Sequence, residues 1–138
     1  MSGILNALVG AEMPDYVDLP GGNVHDAELS PTDATATMVI GSAGTITFVG
    51  NNVPATQTWL KIGVNSDYEV FVTNGGPDAL TSGTVGSWLA LTSNRTYTMT
   101  ETGTATKTAS LTVQIRKISL GNLVVATGVY SVQARVNI

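Results

Sequence analysis

His25 is the only histidine in the 138-residue chain, and it stands near Asp26 and Glu28 in a stretch punctuated by proline and glycine. One imidazole with two carboxylates falls short of a transition-metal site, which needs three or four converging ligands, and His25 reads instead as an exposed loop histidine. A Ser-His-Asp hydrolase would have to use His25 as its base, yet no G-x-S-x-G elbow occurs, and Ser42, Ser82 and Ser87 fit turns and strand edges. Beyond residue 33 only Asp67, Glu69, Asp78 and Glu101 could serve two-carboxylate glycoside chemistry, and Asp67 and Glu69 flank the start of a strand. Gly75-Gly76 runs into Pro77 and opens no phosphate-cradling helix, while Asp15-Tyr16-Val17-Asp18 is not a complete calcium loop. Asn94-Arg95-Thr96 matches the glycosylation triplet, a pattern common by chance. Trp59 and Trp88 have rings that could stack on a sugar, but each sits beside a leucine, Leu60 or Leu89, in a pattern that places it in the core or between sheets. The residues predict no catalytic centre, no metal site and no cofactor.

The elements that would position any site are strands. In Ala109 to Ile118, Leu111, Val113 and Ile115 alternate with Thr112, Gln114 and Arg116; in Val129 to Ile138, Tyr130, Val132, Ala134, Val136 and Ile138 alternate with Ser131, Gln133, Arg135 and Asn137. Period two means one apolar face and one wet face. Joined through Asn122 to Thr127, these two long strands are expected to anchor an antiparallel sheet. Further strands are expected at Ala34 to Ile40, Thr45 to Val49, Thr58 to Ile62, Tyr68 to Thr73, Ser87 to Leu91 and Arg95 to Thr100, with Glu101 to Thr106 as a polar loop. Met38, Ile40, Ile46 and Phe48 are the candidate inward residues of the first two. About eight short strands with regular turn signals read as an all-β sandwich or barrel.

The totals agree with strand and place the charge unevenly. The chain has 20 Thr and 16 Val but only 12% charged residues and no Cys, so packing alone must hold it. At this length one domain can bury roughly two-thirds of its unfolded surface. Glu12, Asp15, Asp18, Asp26, Glu28 and Asp33 all lie in the first 33 residues, where there is no Lys or Arg; Lys61, Arg95, Lys107, Arg116, Lys117 and Arg135 all follow. Without a clustered basic patch, nucleic acid is a poor partner. No segment reaches the roughly 18 apolar residues of a bilayer span, so no membrane insertion is expected. The opening MSGILNALVGA lacks a basic n-region and reads as part of the mature protein.

Residues 1–33 read as an N-terminal arm and residues 34–138 as the β-sandwich domain. Ile4, Leu5, Leu8 and Val9 have the spacing of one helical face, but Pro14 limits that plug to about two turns, too few to be stable alone. The plug needs a surface to lie on. With Glu12, Asp15 and Asp18 it forms the candidate assembly interface, an acidic arm matched to a mildly basic body.

Three segments in combination, Ser66-Asp67-Tyr68-Glu69-Val70, Gly86-Ser87-Trp88-Leu89 with Arg95 following, and Leu111-Thr112-Val113-Gln114-Ile115-Arg116, give the region from Thr35 to the C-terminus a likeness. It resembles the small Ig-like β-sandwich structural proteins of tailed bacteriophages. The resemblance implies an antiparallel Ig-like sandwich and a non-enzymatic virion component of decoration or accessory type, assembled in the host cytoplasm. Its implied partners are phage structural proteins of the capsid, neck or tail, and copies of itself. The alternative is an adhesin-like glycan- or receptor-binding module of the tail, presenting Asn74 to Asp78 and Glu101 to Thr106.

Overall fold

The computed structural model describes residues 16–26, 34–50, 56–103 and 105–135. Eleven strands follow in order: β1 Tyr16–Val17, β2 Val24–Asp26, β3 Ala34–Ile40, β4 Thr45–Val49, β5 Thr56–Thr58, β6 Leu60–Ile62, β7 Tyr68–Asn74, β8 Trp88–Ala90, β9 Arg95–Glu101, β10 Thr106–Lys117 and β11 Leu123–Arg135. They form a four-stranded antiparallel sheet β9-β3-β4-β5, a second sheet β2-β11-β10-β7-β8, and the small pair β1-β6. In the second sheet, β11, β10, β7 and β8 are antiparallel, and β2 adds to β11 in parallel.

Alternation builds the core. Ala36, Met38 and Ile40 of β3, Ile46 and Phe48 of β4, and Tyr97 and Met99 of β9 face Val70 and Val72 of β7, Leu111, Val113 and Ile115 of β10, and Tyr130 and Val132 of β11. Each fully buried aliphatic or aromatic side chain contributes about 1.5–3 kcal/mol against the cost of ordering the chain. The outer face of the four-stranded sheet shows where the threonines go. Hydroxyls pair across strands at Thr35–Thr100 (3.2 Å), Thr37–Thr98 (3.4 Å) and Thr47–Thr56 (3.0 Å). β-Branched residues with a polar tip suit a pleated, half-wet surface.

Trp59 interrupts the chain between β5 and β6 and is wholly buried. Its Nε1–H donates to the Gly41 carbonyl (2.9 Å), and its ring meets Tyr68 edge-on at 5.6 Å. Gly44, at φ 84°, lends its carbonyl to the Trp59 and Leu60 amides; a side chain there would crowd Leu60 at 3.1 Å.

Residues 16–26, which the sequence assigns to the arm, lie against the sheets. β1 pairs with β6, and the Asp18 amide donates to the Trp59 carbonyl (2.8 Å). The Tyr130 hydroxyl donates to the Pro20 carbonyl (2.8 Å), and the Ser131 amide to Asn23 Oδ1 (2.7 Å). Gly22 passes so close to the Phe48 ring that an added Cβ would sit 2.8 Å from it, and Val24 is buried in the core.

Three sequence expectations need correction. The link between the long strands is not Asn122 to Thr127: β10 ends at Lys117, residues 118–120 form a 3-10 turn, and Gly121 (φ 68°) with Asn122 (φ 65°) reverses the chain before β11 begins at Leu123. A bulge opposite Ile115 and Arg116 admits Val125 as an extra residue, which hides the alternation in the first half of β11. His25 is not in a loop, because the parallel pairing of β2 with β11 sets its backbone opposite Gln133. Glu101 belongs to β9 and is buried; Thr106 already belongs to β10, so the polar loop between them is shorter than expected. Val136 and Ile138 lie outside the described residues.

Candidate interaction surface

The strand pairings bring four connections to one end of the sandwich: the β3–β4 turn, the segment from Ile62 to Asp67, the β8–β9 turn and the β10–β11 tip. Asp67 fixes this end. Its Oδ1 accepts the Ser119 amide (2.9 Å), and its Oδ2 accepts the Ser119 hydroxyl and pairs with Lys117 Nζ (2.9 Å). The Ser119 hydroxyl first, and Lys117 after it, hold the Asp67 carboxyl below its ordinary value. The Asp67 amide in turn donates to the Val64 carbonyl. The hairpin tip is therefore tied to the Val64–Asp67 turn, and both present apolar side chains outward. Ile62 is 54% exposed, Val64 63% and Leu123 56%, with Ile118 and Leu120 also exposed. These bonds hold the exposed aliphatics on a tied turn rather than a frayed loop.

A second cluster lies on the outer face of the five-stranded sheet. Trp88 is not in the core or between the sheets: Leu89 takes the inward position on the short edge strand β8, so period two turns Trp88 outward. Its ring lies 5.1 Å from Phe71, and the Arg116 guanidinium sits 4.1 Å over it. Arg116 also bonds Glu69 through Nε (2.8 Å) and Nη2 (2.6 Å). The guanidinium already covers one face of the indole, a cation–π arrangement that fills the site a sugar ring would use.

The remaining polar candidates are engaged in local structure. Asp78 Oδ2 accepts the Thr108 amide (2.9 Å). Glu101 accepts the Gly103 amide (2.8 Å) and pairs with Lys107 (3.3 Å). Asn94 Oδ1 accepts from the Ser42 amide and lies 3.2 Å from its hydroxyl, which closes the β3–β4 turn. Asn74 brackets its turn by accepting from the Gly76 amide and donating to the Asp78 carbonyl, both at 2.8 Å. The four carboxylates Asp67, Glu69, Asp78 and Glu101 are thus each bonded to a separate neighbour, not paired with one another. Among the described residues no group of three or more His, Cys, Asp or Glu converges as a metal site.

A shallow cavity of about 230 Å³ opens between β8 and β9, lined by Gly83, Thr84, Leu89, Arg95 and Tyr97 among others. Arg95 spans the gap, donating from Nε (3.0 Å) and Nη2 (2.7 Å) to the Ala90 carbonyl. The Tyr97 hydroxyl is buried and has no hydrogen-bond partner among the described residues; burial pushes it up to about 12, against the opposing charge of Arg95.

Of the assembly residues expected from sequence, Asp18 is exposed and held through its backbone to Trp59. Ile4, Leu5, Leu8, Val9, Glu12 and Asp15 lie outside the described residues, as does Glu28. Sequence reasoning missed the apolar end entirely. The signal was present in Ile118, Leu120 and Leu123, three large aliphatics crowded around a Gly-Asn turn where polar residues are usual. Comparison with family models, with curated proteins and with solved structures finds no match to this chain.

Proposed function

We propose that the protein is a non-enzymatic structural component of a bacteriophage virion, an Ig-like sandwich of decoration or accessory type that docks on capsid, neck or tail through its N-terminal arm and its sandwich surface. The observation that carries this reading is the apolar end, where Ile62, Val64, Ile118, Leu120 and Leu123 stand exposed on a hydrogen-bonded scaffold. A surface of that kind is costly to leave in water and is suited to contact with protein. The low charge of the chain points the same way, and the segment resemblance around Tyr68, Trp88 and Leu111 supplies the phage context. Antibody raised to the chain should label purified phage particles at regular positions, and deleting residues 1–15, which spares β1 and β2, should abolish incorporation. Incorporation that survives the deletion removes the arm from the proposal; particles that carry no chain remove the virion.

The glycan-binding alternative draws on Trp88, which is half-buried on an outer sheet face. It requires Arg116 to leave the indole. Trp88→Ala should then erase a glycan-array signal, and silence of the unmodified protein on the array counts against this reading.

A further inference from the structure

The direction in which the chain enters the sandwich says what the apolar end receives. β1 runs antiparallel to β6, with Tyr16 opposite Ile62 and Val17 opposite Leu60. The strand direction at Tyr16, followed toward the N-terminus, therefore points to Gly63 and Val64. That is the direction of the exposed Val64, Ile118, Leu120 and Leu123. We propose that the apolar plug Ile4, Leu5, Leu8 and Val9 docks on this apolar end of its own chain.

Reach and charge both allow it. Six residues separate Val9 from Tyr16, and the seven Cα–Cα steps from one to the other extend to about 23 Å, the width of four to five strands. The intervening segment carries Glu12 and Asp15, while the receiving end carries Lys61 on β6 and Lys117 beside Asp67. Opposite signs favour the approach. A short tether also presents the plug at an effective concentration on the order of millimolar, so at micromolar protein its own apolar end outcompetes that of a second copy. Such docking deepens the assembly reading and rests on it for its purpose: plug and apolar end would be masked by each other until a particle surface offers a better partner.

The absence of cysteine makes the test clean. In the full chain, Leu8→Cys is combined with Leu120→Cys, and separately Val9→Cys with Leu123→Cys. The control combines Leu8→Cys with Val49→Cys, because Val49 is equally exposed but ends β4 at the opposite end of the sandwich. Under mild oxidation at micromolar protein, the two test pairs should close into intramolecularly linked monomers at least about tenfold faster than the control, as expected for a tethered contact. Closure no faster than the control in both pairs overturns the proposal, and so does a product that is mainly linked dimer, which would seat the plug on a second copy. Failure here leaves particle incorporation to be judged by the deletion experiment; rapid closure together with incorporation that survives the deletion would keep the docking and remove the arm from assembly.

Discussion

Two buried tyrosines separate the worth of a hydrogen bond from the cost of lacking one. Tyr97 and Tyr130 are both almost wholly buried, and burial pushes both phenols up to about 12, with the charge of Asp18 adding to the rise at Tyr130. They differ in one respect: Tyr130 donates to the Pro20 carbonyl at 2.8 Å, whereas the Tyr97 hydroxyl has no partner among the described residues. Tyr130→Phe removes a made bond, worth about 0.5–1.5 kcal/mol net. Tyr97→Phe removes a group that has left water without compensation, which itself costs about 1–3 kcal/mol, so the variant should be neutral or more stable by about 1 kcal/mol. For 138 residues, an unfolding entropy of about 2.1 cal/mol/K per residue makes 1 kcal/mol equivalent to about 3–4 °C in Tm. Tyr130→Phe should therefore melt about 2–5 °C lower and Tyr97→Phe at the same temperature or about 3 °C higher, by calorimetry at neutral pH. Urea midpoints should rank the two variants in the same order with unchanged slopes. If Tyr97→Phe loses as much stability as Tyr130→Phe, the Tyr97 hydroxyl is satisfied after all, and the reasoning fails.

Both phenols titrate higher in the folded chain, near 12, than in the unfolded chain, near 10. The stability this confers is complete below pH 10 and is lost as pH rises toward 12, so alkaline melting curves should flatten in the Tyr97→Phe/Tyr130→Phe double variant. Asp67 is depressed instead, so its contribution is present above its unfolded value of 3.8 and fades as pH falls through the lower folded value. Asp67→Asn should speed hydrogen exchange at the Ser119 amide while leaving the amides of β3 unchanged; equal protection in the variant would show that the hairpin tip does not depend on this carboxylate. Trp59→Ala should cost about 3–5 kcal/mol as a core truncation, whereas Trp88→Ala, on the outer face, should cost less than half as much by denaturant titration. Tyr130→Phe should also quicken exchange across residues 18–23, because the Pro20 bond is one of the ties between that segment and β11.

The body of the sandwich was legible because its strands obey one period over five residues or more. Leu111, Val113 and Ile115 against Thr112, Gln114 and Arg116 leave no choice of face, and slipping the register by one residue would turn every apolar side chain into water. The same rule, applied to Leu89 and Leu91, would have turned Trp88 outward; the adjacent leucine was read as a sign of burial instead of as the inward position of the pair. Residues 16–26 were harder. Two- and three-residue strands carry no period, and what seats them is contributed from far along the chain, by the Phe48 ring under Gly22, the Tyr130 hydroxyl at Pro20 and the Ser131 amide at Asn23. The first half of β11 was illegible for another reason, since the bulge at Val125 breaks alternation while the ladder continues past it.

The two ends of the sandwich are built differently, and that difference bears on how it can be used. At one end the turns satisfy themselves: Glu101 is buried against Gly103 and Lys107, Asp78 holds the Thr108 amide, and Asn74 brackets its own turn. At the other, the bonds of Asp67 to Ser119 and Lys117 tie the hairpin tip to the preceding turn, and the exposed side chains include Val64, Ile118, Leu120 and Leu123. Hydrophobic burial is non-directional and roughly proportional to area, so such an end will accept any apolar surface of adequate size. Selectivity must then come from what is brought to it first. Under the docking proposed above, a plug tethered to β1 has that advantage over every partner in solution. On the virion reading proposed above, a particle surface would displace it only by offering more buried area or many copies of the site at once, which a symmetric shell or tube provides and a single soluble protein does not.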